Sequence, residues 1–146
     1  MNRNKVTLLV LTITILMFFP LLKEASSVTD NSESKTQAIQ NITPEEAHVL
    51  IQKNKDNPDL VILDVRTPEE FAEGHIENAL NLNYYSETFR EDLNKLDKDK
   101  TYITHCRSGS RSGKTIDMMK ELGFKEAYNM TGGFVGWEEK GFPTTK

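Results

Sequence analysis

The sequence predicts an α/β fold whose central sheet is mostly parallel and flanked by helices. Two observations predict it. Short runs of strand length recur at residues 60–63, 79–82, 101–104 and 127–130, the plainest being Leu60-Val61-Ile62-Leu63. Between them lie segments with helix-start signatures or helical apolar spacing. Strands separated by helices are joined by crossovers, and crossovers make parallel pairs.

The chain opens with Arg3 and Lys5, an apolar run over 6–22 interrupted by Pro20, and small residues at Ala25 and Ser27. A basic end, a greasy middle and small residues are the pattern of an export signal, with cleavage expected after Ser27. An uncleaved N-terminal anchor is the alternative, and only then is a membrane contact expected. The run sits at the lower limit for a spanning helix. Either way residues 28–146 are expected outside the cytoplasm, extracellular or in the cell envelope or periplasm. Residues 28–40 are polar, lack periodicity and read as a flexible linker, so the folded domain is expected over 41–146.

Thr43-Pro44-Glu45-Glu46 starts a helix. Thr43 caps, Pro44 fits the first helical position and Glu46 completes a capping box. Ala47, Leu50 and Ile51 form its apolar face, and Asn57-Pro58 is expected to end it. Residues 60–63 are a continuous apolar run, as in a strand covered on both faces. Thr67-Pro68-Glu69-Glu70 repeats the helix-start signature, with Gly74 as its stop. Residues 79–82 form a short strand. Phe89, Leu93 and Leu96 give 86–96 helical spacing. A strand at 101–104 leads to a helix at 112–122, closed by Gly123. The last strand is 127–130; Gly132-Gly133 breaks it, and a helix follows at 134–140.

Between the strand at 101–104 and the following helix lies Cys106-Arg107-Ser108-Gly109-Ser110-Arg111. Cys106 is the chain's one cysteine, which excludes an internal disulfide and leaves no Cys/His set for zinc. No metal and no cofactor are expected. Arginines and a helix start beside a thiol favour the thiolate, the reactive form. Successive backbone N–H groups in such a turn make a small anion-binding concavity. In a parallel sheet this position is the carboxyl edge, where ligands bind. The pattern predicts a covalent cysteine nucleophile acting on a small anion.

The net charge of −4 offers no basic surface for nucleic acid. Loss of residues 1–27 removes three positive charges and one negative, moving it to −6. An anion site must therefore be locally positive, which singles out Arg107 and Arg111.

Four segments, in order, resemble the single-domain rhodaneses, a sulfurtransferase family. They are Leu63-Asp64-Val65-Arg66; Glu70-Phe71-Ala72-Glu73-Gly74-His75-Ile76 with 79–82 after it; the Cys106–Ser112 loop; and Gly132-Gly133, Trp137 and Gly141-Phe142-Pro143. Asn78 and Phe142 depart from that pattern, which often has glycine and tyrosine there. The resemblance implies a rhodanese-like three-layer fold and a monomer. It also implies transfer of sulfane sulfur from thiosulfate or a similar small anionic donor, through a Cys106 persulfide, to cyanide or an external thiol. Arg107, Ser108, Gly109, Ser110 and Arg111 would bind the substrate, and Asp64 and Arg66 would give structural support. Arg66 is expected to pair with Glu69 or Glu70. Cysteine phosphatases place five residues between cysteine and arginine, whereas four separate Cys106 from Arg111; the shorter loop suits sulfur. A non-enzymatic persulfide- or anion-binding module is the other alternative. His75, His105, Phe134, Trp137 and Phe142 read as packing residues.

Overall fold

A computed structural model describes residues 37–146; the expected export segment lies outside them. The chain forms β1 (Ala38–Ile42), α1 (Pro44–Lys53), β2 (Leu60–Asp64), α2 (Pro68–Glu73), β3 (Leu80–Asn81), α3 (Phe89–Asn94), β4 (Thr101–His105), α4 (Ser110–Glu121), β5 (Glu126–Met130) and α5 (Gly133–Glu139). The five strands make one sheet in the order β1-β5-β4-β2-β3, every pair parallel.

Alternate strand residues serve opposite faces. Leu63 and Tyr102 pack with Phe89, Leu93, Ile116 and Met119, under α3 and α4. Ile62 and Ile103 pack with Ala47, Phe134 and Trp137, under α1 and α5. The result is helix, sheet, helix: three layers with two apolar seams. Cys106 falls in register with Tyr102 and Thr104 on the α4 side, whereas His105 lies toward Phe134 on the other.

The chain winds outward from β2 to β3, then returns across β2 to β4 and β5. The carboxyl ends of β2 and β4 therefore flank the point where the winding reverses, the usual ligand crevice of an open parallel sheet.

Both capping boxes form: Thr43 with Glu46, and Thr67 with Glu70. Three boundaries differ from expectation. Helix α1 ends at Lys53, because Asn54 bonds back to Leu50 O and Asn57 bonds Asn54, turning the chain before Pro58. Helix α3 starts at Phe89, because the Ser86 hydroxyl accepts from Thr88 N–H and holds a turn ahead of it. Helix α4 starts at Ser110, so Ser110 and Arg111 belong to its first turn. The linker expectation is corrected as well. Residues 38–40 belong to edge strand β1, which pairs with β5 from Ala38 opposite Glu126 to Ile42 opposite Met130. Ala38, Ile39 and Ile42 are its apolar residues, with no strict alternation; the strand forms because the edge of β5 offers a full row of backbone partners.

Candidate active site

Strand β4 carries the chain to Cys106 at its carboxyl end, and Gly109 turns it into α4. Gly109 sits at φ +99, in the left-handed region that a glycine enters at no steric cost. This turn folds the loop over its own cysteine. The Gly109 N–H donates to Cys106 Sγ at 3.1 Å, and the Ser112 hydroxyl lies 3.6 Å from the same sulfur.

Helix α5 holds the loop from behind. Its first-turn N–H groups, which lack helical partners, donate to the loop's carbonyls: Phe134 N–H to Cys106 O at 2.7 Å, and Val135 N–H to Arg107 O at 3.0 Å. Turning those carbonyls toward α5 leaves the loop's N–H groups to face the sulfur. Gly133 makes the approach possible. At φ +58, a Cβ there would come within 2.5 Å of Cys106 O.

Burial pushes the Cys106 thiol up. The Ser112 backbone and hydroxyl, and the N–H groups of Ser108 and Gly109, pull it down and prevail, leaving it below its ordinary value. The arginines, which the sequence put first, do not lead. Arg111 is engaged elsewhere: Nη1 and Nη2 donate to Glu70 Oε2 and Oε1, each at 2.8 Å. Its guanidinium also lies 5.4 Å from the Tyr85 ring centroid. Glu70 is held at about 2 by the Arg111 hydrogen bonds, against burial, so the pair is ionised at neutral pH. Arg107 is exposed and makes no ion pair among the described residues. It borders a hollow of about 180 Å³ also lined by Glu70, Glu73 and Glu138. Ser108 offers its N–H; Ser110 opens α4 with its side chain exposed.

Asp64 and Arg66 sit side by side at the end of β2. Arg66 donates to both Asp64 oxygens, with Nη2 at 2.6 Å, and reaches Gly74 O at 2.7 Å. Its guanidinium carbon lies 3.8 Å from the Phe134 ring centroid. The expected pairing of Arg66 with Glu69 or Glu70 is thereby corrected: Asp64 is two residues away, and Glu70 is taken by Arg111. Asp64 and Arg66 thus brace α2 and α5 behind the loop. Burial pushes the His105 imidazole down from its ordinary value, against the pull of Asp64; its Nε2 stands 3.7 Å from Asp64 Oδ2, on the face away from the sulfur.

The structure adds Tyr85 and Asn129 to the residues the sequence singled out, and gives Glu70 and the Ser112 side chain roles at the loop that the sequence did not. The Ser112 hydroxyl reaches Asn129 Oδ1 at 2.7 Å, and Asn129 Nδ2 donates to Asn41 Oδ1 at 2.9 Å. Nothing local signals these contacts, which join residues far apart in the chain. A larger hollow, of about 350 Å³ and lined by His48, Leu60 and Trp137, contains no loop residue.

Comparison with known proteins agrees with this geometry. A "Sulfurtransferase" of Allochromatium vinosum is 33% identical over 94 residues, 64% of this chain and 86% of that protein. The "Thiosulfate sulfurtransferase GlpE" of Coxiella burnetii is 38% identical over 93 residues, 64% of this chain and 81% of that protein. A rhodanese-like domain protein of Staphylococcus aureus, known from its crystal structure, superposes with a TM-score of 0.59 at 32% identity, over 73% of this chain and 99% of that one. The sequence model of the rhodanese-like domain matches residues 43–140, from the cap of α1 to the end of α5. With its cysteine loop at the edge of a parallel three-layer sheet, the chain belongs to the rhodanese-like domain family.

Proposed function

We propose that the chain is a sulfurtransferase that carries sulfane sulfur on Cys106. One observation carries the reading: a thiol at the carboxyl end of β4 faces a ring of N–H groups, with Gly109 N–H at 3.1 Å. Such a ring favours a thiolate, and it favours a persulfide anion for the same reason. Family membership and relatives named as sulfurtransferases support the reading.

Thiosulfate is the donor that suits this site. The Cys106 thiolate attacks the outer sulfur; an S–S bond forms to Cys106, the donor's own S–S bond breaks, and sulfite leaves with the electron pair. The persulfide anion then rests in the N–H ring. An external nucleophile, cyanide or a thiolate, attacks the terminal sulfur and departs as thiocyanate or as a new persulfide, restoring the Cys106 thiolate. In each step the attacking nucleophile supplies the electron pair of the new bond and the departing sulfur takes the pair of the broken S–S bond, so the transfer balances without an added oxidant or reductant. Cys106 is the sole cysteine, so the acceptor comes from outside the chain.

Only 1% of Cys106 is exposed, so a donor must present a narrow end, as thiosulfate does with its terminal sulfur. Arg107, which makes no ion pair among the described residues, is the loop's cation for the donor's anionic oxygens. Arg111, neutralised by Glu70, shapes the loop and offers its remaining N–H groups. In this reading the reaction runs outside the cytoplasm, a location that the basic-then-apolar pattern of residues 1–27 supports, in a monomer with small-molecule partners.

The test is direct. Incubation with thiosulfate should add the mass of one sulfur to Cys106, and cyanide should then release it as thiocyanate. Cys106→Ser should abolish both signals. A folded wild-type protein that gains no sulfur, or a Cys106→Ser protein that still forms thiocyanate, would overturn the proposal.

A further inference from the structure

The Ser112 hydroxyl has one proton and three acceptors around it. Asn129 Oδ1 lies at 2.7 Å, Gly109 O at 3.2 Å and Cys106 Sγ at 3.6 Å. The shortest contact draws the proton away from the sulfur. Asn129 is in turn fixed from the far side: its Nδ2 donates to Asn41 Oδ1 at 2.9 Å, which points its carbonyl at Ser112. Asn129 is buried on β5, whereas Asn41 is exposed on edge strand β1. Three polar side chains thus run in series from the sulfur to the sheet edge, donating outward at each link.

We propose that Asn129, anchored by Asn41, is a positioning residue that decides whether the Ser112 hydroxyl donates to the Cys106 sulfur. The proposal rests on the reading of Cys106 as an anionic nucleophile. An amide has a donor end and an acceptor end, so the series has two polarities. In the outward one, Ser112 donates to Asn129 and Asn129 to Asn41. With both amides turned, Asn41 donates to Asn129, Asn129 donates to Ser112 Oγ, and the hydroxyl proton is released to the sulfur. The reversal requires both amides to turn over, which opposes release of the hydroxyl to the sulfur; removal of either amide removes that opposition. A neutral thiol is a weak acceptor and leaves the outward polarity in place. A thiolate or persulfide anion is a strong acceptor and selects the inward one. The sulfur's charge and the hydrogen-bond direction at β1 are therefore coupled.

The charged and titratable groups around Cys106 are Arg107 in the loop itself, Arg111 on α4 with Glu70 of α2 and the Tyr85 phenol against it, and, on the opposite face, His105 with Asp64 and Arg66. Toward the loop, β5 contributes Asn129 and Met130, and α5 contributes Phe134 and backbone N–H groups, all uncharged. None of the charged groups hydrogen-bonds Asn129, so substitution there leaves them in place.

The experiment is the pH dependence of Cys106 alkylation by iodoacetamide, on the full chain. Ser112→Ala should raise the midpoint by about one pH unit, through loss of a donor to the thiolate. Asn129→Ala should lower it by about half a unit to one unit, because the freed hydroxyl turns to the thiolate, a stronger acceptor than the neutral Gly109 carbonyl. Asn41→Ala, at an exposed position, should also lower it and gives the answer even where Asn129→Ala fails to fold. The double variant Ser112→Ala with Asn129→Ala should match Ser112→Ala alone. An asparagine variant whose midpoint stays or rises, or an Asn129→Ala shift that persists without Ser112, overturns the proposal and leaves the nucleophile reading standing. A wild-type midpoint above about pH 8, that of an ordinary thiol, overturns the nucleophile reading and this proposal with it.

Discussion

Glu70 serves two elements at once. Its Oε2 accepts from Thr67 N–H at 3.0 Å, closing the cap of α2, and its two oxygens hold Arg111 on α4. With 24% of its side chain exposed against 15% for Arg111, the pair is only partly screened by water. Its folded value of about 2 lies below the ordinary 4.5. Stability from the pair is therefore complete above 4.5 and is lost as pH falls toward about 2. Glutamine keeps the capping contact and removes the charge. Glu70→Gln should lower the unfolding free energy at pH 7 by about 2 kcal/mol. It should also flatten the fall in stability below pH 4.5. Urea titrations across that range check this; parallel curves for the two proteins would deny the pair its role.

Helix α5 has seven residues, and its placement matters more than its length. Its first N–H groups take the carbonyls of Cys106 and Arg107, and Gly133 allows the backbones to meet. Gly123 is a useful contrast. It also has positive φ, +84, yet a Cβ there would meet nothing within 4 Å. Alanine at either position carries backbone strain of about 1 kcal/mol or more. Gly133→Ala adds a collision with the loop's backbone. Thermal melting should show Gly133→Ala as the less stable by at least about 2 kcal/mol. Its Cys106 should alkylate more slowly, while Gly123→Ala retains the wild-type rate. Equal melting and equal rates would mean that α5 does not shape the loop.

Across the whole molecule, the matched family region begins at residue 43, yet the sheet begins at Ala38. Strand β1 covers the edge of β5, adds Ile42 to the core under α1 and brings Asn41 to Asn129. Removal of residues 38–42 should cost on the order of 3 kcal/mol, from the buried Ile42 side chain and the lost ladder bonds. The loss should appear as a melting temperature lower by roughly 10 °C, since a domain of this size shifts about 4 °C or more per kcal/mol. Unchanged melting would make β1 an ornament of the sheet.

Local chemistry settled a great deal without the fold. The two capping boxes lie within four-residue segments, and the strand at 60–63 declares itself by continuous apolar character. The cysteine is placed at a strand end by its own neighbours. Each of these rests on contacts between residues close in sequence, so pattern alone reveals them. What only tertiary structure decided joins distant residues. Glu70 meets Arg111 across 41 positions, and Asn41 meets Asn129 across 88. Strand β1 exists because β5 has an edge to offer, and the sulfur is tuned by hydrogen bonds that α5 orients from behind. Such partners are chosen by the path of the chain through space, and no segment read in isolation carries that information.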